Sequence, residues 1–130
     1  IDDGTIDAIA YGHRPTSRTD KDKEFGNAAY GISALETAFP ISFTKLVETG
    51  IISLARLVEL MSKKPAEILK LEQKGEIAVG KDADLIVIET KGTQIIEPEL
   101  FASKAKFSPF AGQEVKGRVV YTIVGGKIVS

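Results

Sequence analysis

The one histidine of the chain, His13, stands in "YGHRPTSRTDKDKEFG", where a stretch of β-branched and small apolar residues gives way to a charged loop. In α/β proteins the loop leaving the carboxyl end of a strand is where reacting groups are placed. This junction is therefore the first place to look for chemistry, and the groups that usually do it are few. A transition-metal site takes three or four protein ligands. One imidazole, with no cysteine and no second histidine, cannot supply them from nitrogen and sulfur donors. His13 reads as a loop or capping residue ahead of a weak ligand contact. Serine chemistry is no better provided for, because there is no G-x-S-x-G turn and His13 would be the only base.

Two further stretches imitate known sites. "GEIAVGKD" (residues 75–82) approaches the phosphate-loop pattern, but its interior is apolar and Asp82 stands where a hydroxyl should hold magnesium. A carboxylate there would repel phosphate, so the segment reads as a turn next to strands. "DKDKEFG" spaces Asp20, Asp22 and Glu24 as a calcium loop begins, yet Phe25 occupies the glycine position and Gly31 the place of the bidentate glutamate. It reads as a solvated charged loop.

The elements that must position these residues follow from pattern. "TIDAIA" (residues 5–10), preceded by the turn signal "DDG", predicts a buried strand. In "YGISALETAFPISFTKLVETG" the apolar residues Ile32, Leu35, Phe39, Phe43, Leu46 and Val47 recur at helical spacing up to Gly50, with Pro40 expected to kink or divide the helix. Ser53 is a candidate N-cap for a second helix, and Pro65 suits the first position of a third. Beyond Leu71 the chain turns to short β-branched runs, and Gly125-Gly126 between alternating apolar residues predicts a tight hairpin, since both central positions of a type I′ turn need positive φ. The stretch "TKGTQIIEPELFASKAKFSPFAGQEVK" reads as irregular.

With 130 residues, 43% of them hydrophobic, the chain could bury its own core. Its 17 basic and 18 acidic residues give a net charge of -1 and no electrostatic footprint for nucleic acid or an anionic membrane. The lack of cysteine is compatible with a reducing cytoplasm. No apolar run is long enough to span a bilayer, and "IDDGTID" has no signal-peptide character. A cytoplasmic location is the default. One strand with its helices plus a small antiparallel piece is nevertheless a poor inventory for an independent domain, because a lone strand cannot satisfy its backbone. The chain reads as the last part of something larger.

The segments "DGTIDAIA", "YGISALETA", "GKDADLIVI" and "SPFAG…KGRVVYTIVGGKIV" together resemble the C-terminal third of dihydroorotase, in the amidohydrolase superfamily, across essentially the whole chain. Hydantoinase and allantoinase relatives share the last two segments more loosely. The resemblance implies an α/β fold: residues 1–71 as the last strand and helices of a (β/α)8 barrel, and residues 72–130 as C-terminal strands of the small flanking β-domain. It implies interconversion of carbamoyl aspartate and dihydroorotate in pyrimidine biosynthesis, with zinc held by histidines upstream of Ile1. In the family the eighth strand ends in "TDHAPH", whose Asp is metal ligand and general base and whose last His contacts substrate. Here the corresponding residues are "YGHRPT": Gly12 stands in the place of the Asp, His13 and Pro15 are kept, and Thr16 stands in the place of the substrate His. Tyr30 and Gly31 map to the family's backbone contacts with the pyrimidine ring. The chain by itself is thus expected to bind no zinc and to lack a catalytic base. Its expected partners are the missing N-terminal barrel portion or further copies of itself, and on the alternative reading of a non-catalytic homologue, aspartate transcarbamoylase. A hydantoinase- or allantoinase-like fragment is the other alternative, and a stand-alone binding module is disfavoured by the missing strands.

Overall fold

The computed structural model describes residues 1–130. A helical half packs on a three-stranded antiparallel sheet of order β1-β2-β3. The helices are α1 (Arg18–Lys21), α2 (Leu35–Ser42), α3 (Leu54–Val58) and α4 (Lys64–Ile68). The strands are β1 (Leu85–Ile95), β2 (Glu114–Val124) and β3 (Lys127–Ile128). π-helical turns at Phe43–Val47 and Glu59–Lys63 extend α2 and join α3 to α4.

Local signals in the sequence set several of these boundaries. Ser53 caps α3, its hydroxyl accepting from the Arg56 amide at 3.2 Å. Gly125 and Gly126, with φ of 54° and 78°, form the β2–β3 turn that the Gly-Gly pair predicts. Pro65, expected to open a third helix, instead follows Lys64 in α4, which continues the helical run from α3 through the π turn without a break. Pro40 lies inside α2 without dividing it, and helical hydrogen bonding passes to the wider π pattern three residues later.

Residues 5–10 are not a buried strand. They run without a ladder on either side, and Ile6 is 42% exposed. A strand exists only as a paired element, and no other segment of the chain lies alongside to exchange hydrogen bonds. The segment is tied instead to the helices. Lys64 donates its amide to Glu59, and the next donor in line for the Leu60 carbonyl is Pro65, which has no N–H. The amide of Ile9 fills that vacancy at 2.9 Å.

The sheet also departs from the pattern. Residues 90–95, read as irregular, continue β1, and a register shift between Glu89 and Thr93 absorbs Gly92 at φ 85°. Residues 114–116 likewise belong to β2.

The main core gathers Phe39, Phe43, Ile52, Leu57 and Leu60, with Leu57 and Leu60 wholly buried. A smaller cluster joins Ile96, Phe101 and Val115. Helix and sheet meet where Phe39 and Phe43, stacked with centroids 5.7 Å apart, lie on Gly117 of β2. A Cβ at Gly117 would come within 2.9 Å of the Phe43 ring, and the backbone there has φ 80°. Below this contact the Thr44 hydroxyl accepts from the Lys116 amide at 2.8 Å.

Gly117→Ala combines left-handed strain with overpacking and is expected to cost about 3 kcal/mol. Gly125→Ala meets open space and is expected to cost about 1 kcal/mol, from φ alone. Urea denaturation of the two variants tests the ranking, and equal losses would show that the ring contact does not hold helix to sheet.

Candidate functional site

The loop from Tyr11 to Ile32 is pinned at both ends to α2. At its start the Tyr11 hydroxyl donates to the Ala38 carbonyl at 3.0 Å and accepts from the Ser42 hydroxyl at 2.9 Å. Burial of the ring pushes this phenol above its ordinary value, against the smaller opposing effect of Ser42. Two residues on, His13 forms a parallel bridge with Ile32, and the Arg14 amide donates to the Ile32 carbonyl at 3.0 Å. The chain is thereby folded back on itself across a loop of eighteen intervening residues.

His13 is a cap. Its Nδ1 accepts from the amides of Ala34 and Leu35, at 3.0 and 3.3 Å, at the amino end of α2. These are donors that a helix leaves unsatisfied. Two amides pointing at Nδ1 place the ring hydrogen on Nε2. The capping reading of His13 holds, and Nδ1 is not free to ligate a metal.

Gly31 has φ 111°, and a Cβ there would approach the Arg14 Cβ to 2.7 Å and come closer still to its carbonyl oxygen. This glycine is required by close backbone approach, so the fold alone accounts for it. Tyr30 beside it is 83% exposed and makes no side-chain hydrogen bond. Gly12 is exposed, and a Cβ there would meet nothing within 4 Å, so a side chain could be carried at this position without strain. The Thr16 hydroxyl is buried and has no hydrogen-bond partner.

Within the loop, Ser17 caps the short α1, and its hydroxyl donates to the Asp20 carboxylate at 2.7 Å. That bond, with Lys23 at 3.2 Å, holds the Asp20 carboxyl below its ordinary value. Asp20 is thus spoken for by Ser17 and Lys23. Nowhere in the chain do three or more His, Asp or Glu side chains come together as a metal site. The residues present do not fit zinc: Gly12 has no donor and His13 has spent its Nδ1 on the helix. In the phosphate-loop look-alike the Lys81 ammonium pairs with Glu76 at 3.0 Å and donates to the Glu72 carbonyl, so it is committed within its own turn.

A second segment, expected to be irregular, also reaches the site. Glu36, in the first turn of α2, accepts from the amides of Ala102 and Ser103 at 3.0 and 3.2 Å. Ser33, 2% exposed, donates its hydroxyl to the Ala105 carbonyl at 2.6 Å and its amide to the Phe107 carbonyl. The pattern Ser33-x-x-Glu36 is that of a capping box, and a polar pair so placed was the available signal. Both side chains serve residues 102–107 instead, while His13 does the capping.

The amidohydrolase family model matches residues 2–129. This chain belongs to the amidohydrolase family. It is 46% identical over 127 residues to the dihydroorotase of Geobacillus sp. (strain WCH70) and 48% identical over 127 residues to that of Anoxybacillus flavithermus. It covers 98% of itself in each case but 30% and 29% of those proteins, so it spans less than a third of the relatives' length. Among solved structures it superposes on the L-hydantoinase of Arthrobacter aurescens with a TM-score of 0.93 at 37% identity, covering 99% of this chain and 30% of that one. The D-hydantoinase of Thermus sp. gives 0.89 at 30% identity, covering 98% and 29%. The resemblance to dihydroorotase is borne out, and so is the fold class: this amidohydrolase chain is an α/β piece of the barrel type with strands of the flanking domain.

His13→Ala strips the cap from α2 and is expected to lower stability by about 1–2 kcal/mol. Gly31→Ala, which must displace Arg14, is expected to cost more. Urea denaturation gives both values, and an unchanged midpoint for His13→Ala would remove the capping role.

Proposed function

We propose that this chain is the C-terminal part of a dihydroorotase-like cyclic amide hydrolase, which in its whole form interconverts carbamoyl aspartate and dihydroorotate in pyrimidine biosynthesis in the cytoplasm. The observation that carries this reading is the 46–48% identity to dihydroorotases along nearly the whole chain. On this reading residues 1–71 belong to the barrel and residues 72–130 to the small β-domain, and Tyr30 and Gly31 offer backbone atoms to the substrate. Thr16 takes the place of the substrate-contacting histidine. Zinc belongs to the residues that the relatives carry outside the matched third, and no hydrolytic step is assigned to the donors of this chain. A hydantoinase-like substrate is the second reading, favoured by the close superposition on the L-hydantoinase.

The chain alone is expected to be without turnover. Gly12 offers nothing to accept a proton, and a cooperating catalytic set loses most of its rate with any one member. Steady-state assays with zinc, on dihydroorotate and on hydantoin, are expected to match the uncatalysed rate, both for the chain and for Gly12→Asp/Thr16→His. Gly12 has room for the added side chain, and circular dichroism checks that the double variant is folded. Turnover by either protein, free of contaminating enzyme, would overturn the reading.

Association is the other consequence. Residues 5–10 have both edges open, and Ile77, Val79 and Leu100 are among the large apolar side chains left exposed. The partner is the remaining barrel portion, a second copy or, as in a non-catalytic homologue, aspartate transcarbamoylase. Light scattering after size exclusion is expected to show a species heavier than 14.0 kDa. A compact monomer with a sharp thermal transition would count against a partnered role.

A further inference from the structure

Strand β1 is an outer strand of the sheet, and one of its edges meets no other strand. Which groups that edge leaves open follows from its neighbours. The Thr122 amide donates to the Ser130 carbonyl and the Thr122 carbonyl accepts from the Val129 amide, both at 2.8 Å, so Thr122 turns its backbone toward β3. Its partner on β1 is Ile86. In an antiparallel ladder the residue opposite one so turned points its own amide and carbonyl the other way, out of the sheet. The register shift between Val87 and Ile88 spends its extra residue, Val120, on β2, so β1 keeps its alternation and Ile88 points outward as well. Neither Ile86 nor Ile88 finds a backbone partner elsewhere in the chain. The open stretch is short. At one end the Gln73 carbonyl takes the Asp82 amide at 3.0 Å, and at the other the irregularity between Glu89 and Thr93 breaks the ladder. Between these limits Ile86 and Val87 are 50% and 45% exposed.

We propose that this edge pairs antiparallel with the same edge of a second copy of the chain, about a twofold axis at Val87. Ile86 of one copy then faces Ile88 of the other, each such pair exchanges both of its hydrogen bonds, and the two Val87 side chains meet on the axis. Charge selects this register. Lys91 enters no ion pair within its own chain. The pairing carries it to Ala83 of the other copy, between Asp82 and Asp84, two carboxylates that share the single ammonium of Lys74. A slip of two residues one way would set Lys91 opposite Lys81, and the other way would bring Ile86 onto Thr90 in the irregular stretch. The opposite edge of the sheet belongs to β3, which holds only two residues and offers no comparable ladder. So narrow an interface gives a dimer that depends on concentration. It needs neither zinc nor turnover, and residues 5–10 take no part in it, so it stands or falls apart from the hydrolase reading and from association through other surfaces.

Sedimentation velocity of the 130-residue chain over a range of concentrations tests it. The chain is expected to pass from 14.0 kDa to twice that mass as concentration rises. Val87→Lys, which sets like charges on the axis, is expected to raise the dissociation constant about tenfold or more, and Val87→Glu likewise. An equimolar mixture of these two variants is expected to restore the dimer, since a cation then meets a carboxylate on the axis. Lys91→Ala is expected to weaken the dimer severalfold, and Val129→Lys, beside the opposite edge, to leave it unchanged. Circular dichroism confirms that each variant is folded. A monomer at every concentration, association unchanged in both Val87 variants, or a mixture no more associated than its components would overturn the proposal.

Discussion

The approach of two phenyl rings to one glycine fixes how the halves of this molecule meet. Phe39 on α2 and Phe43 at the start of the π turn that extends it lie one helical turn apart, so both face the same way, and both reach Gly117, where no side chain intervenes. With the rings seated, Thr44 comes opposite Lys116 and the helix is set in register along β2. Everything that touches the loop of His13 hangs on that placement. The amino end of α2 presents its amides to His13, its first turn presents Glu36 to residues 102–103, and its inner face presents Ala38 and Ser42 to Tyr11. A single helix thus orients two loops that are 70 or more residues apart in sequence.

What could be read from the sequence divides along the range of the forces involved. The Ser53 cap and the Gly125-Gly126 turn each depend on a few neighbouring residues, and each is found where the sequence puts it, whereas Pro65, expected to open a third helix, lies inside the helical run that continues from α3. The extent of β1 depends on a partner strand about thirty residues away, and the pattern broke off at Gly92, where the ladder in fact continues through an irregularity. Residues 5–10 show the reverse case. Their composition is that of a strand, but a strand is a relation between segments, and within this chain the segment satisfies one amide on the Leu60 carbonyl. Pro40, expected to kink or divide the helix, lies buried inside α2 without dividing it.

The site was legible in its frame and not in its chemistry. His13 could be singled out as the lone imidazole, and capping stood among its weighed roles. That its target is the start of α2 depends on the Ile32 bridge, which composition cannot reveal. The meeting of residues 15–18 with residues 103–107 is hidden from the sequence for a similar reason. Arg18 and Lys104 are 86 positions apart, and each by itself is an ordinary surface charge. The fold brings them to one opening because Ser33 and Glu36 tie the later loop beside the earlier one.

The same geometry explains which positions of "YGHRPT" can change and leave the fold intact. In the pattern that the resemblance assigns to the family, His13 and Pro15 match while Gly12 and Thr16 differ. His13 satisfies two helix amides, an obligation that stands whether or not any reaction takes place. At Gly12 a Cβ would touch nothing, and the hydroxyl of Thr16 bonds to nothing in the chain. Gly31 falls with His13, since its missing Cβ makes room for Arg14. The loop therefore keeps its shape through His13 and Gly31, while at Gly12 the fold leaves room for a side chain.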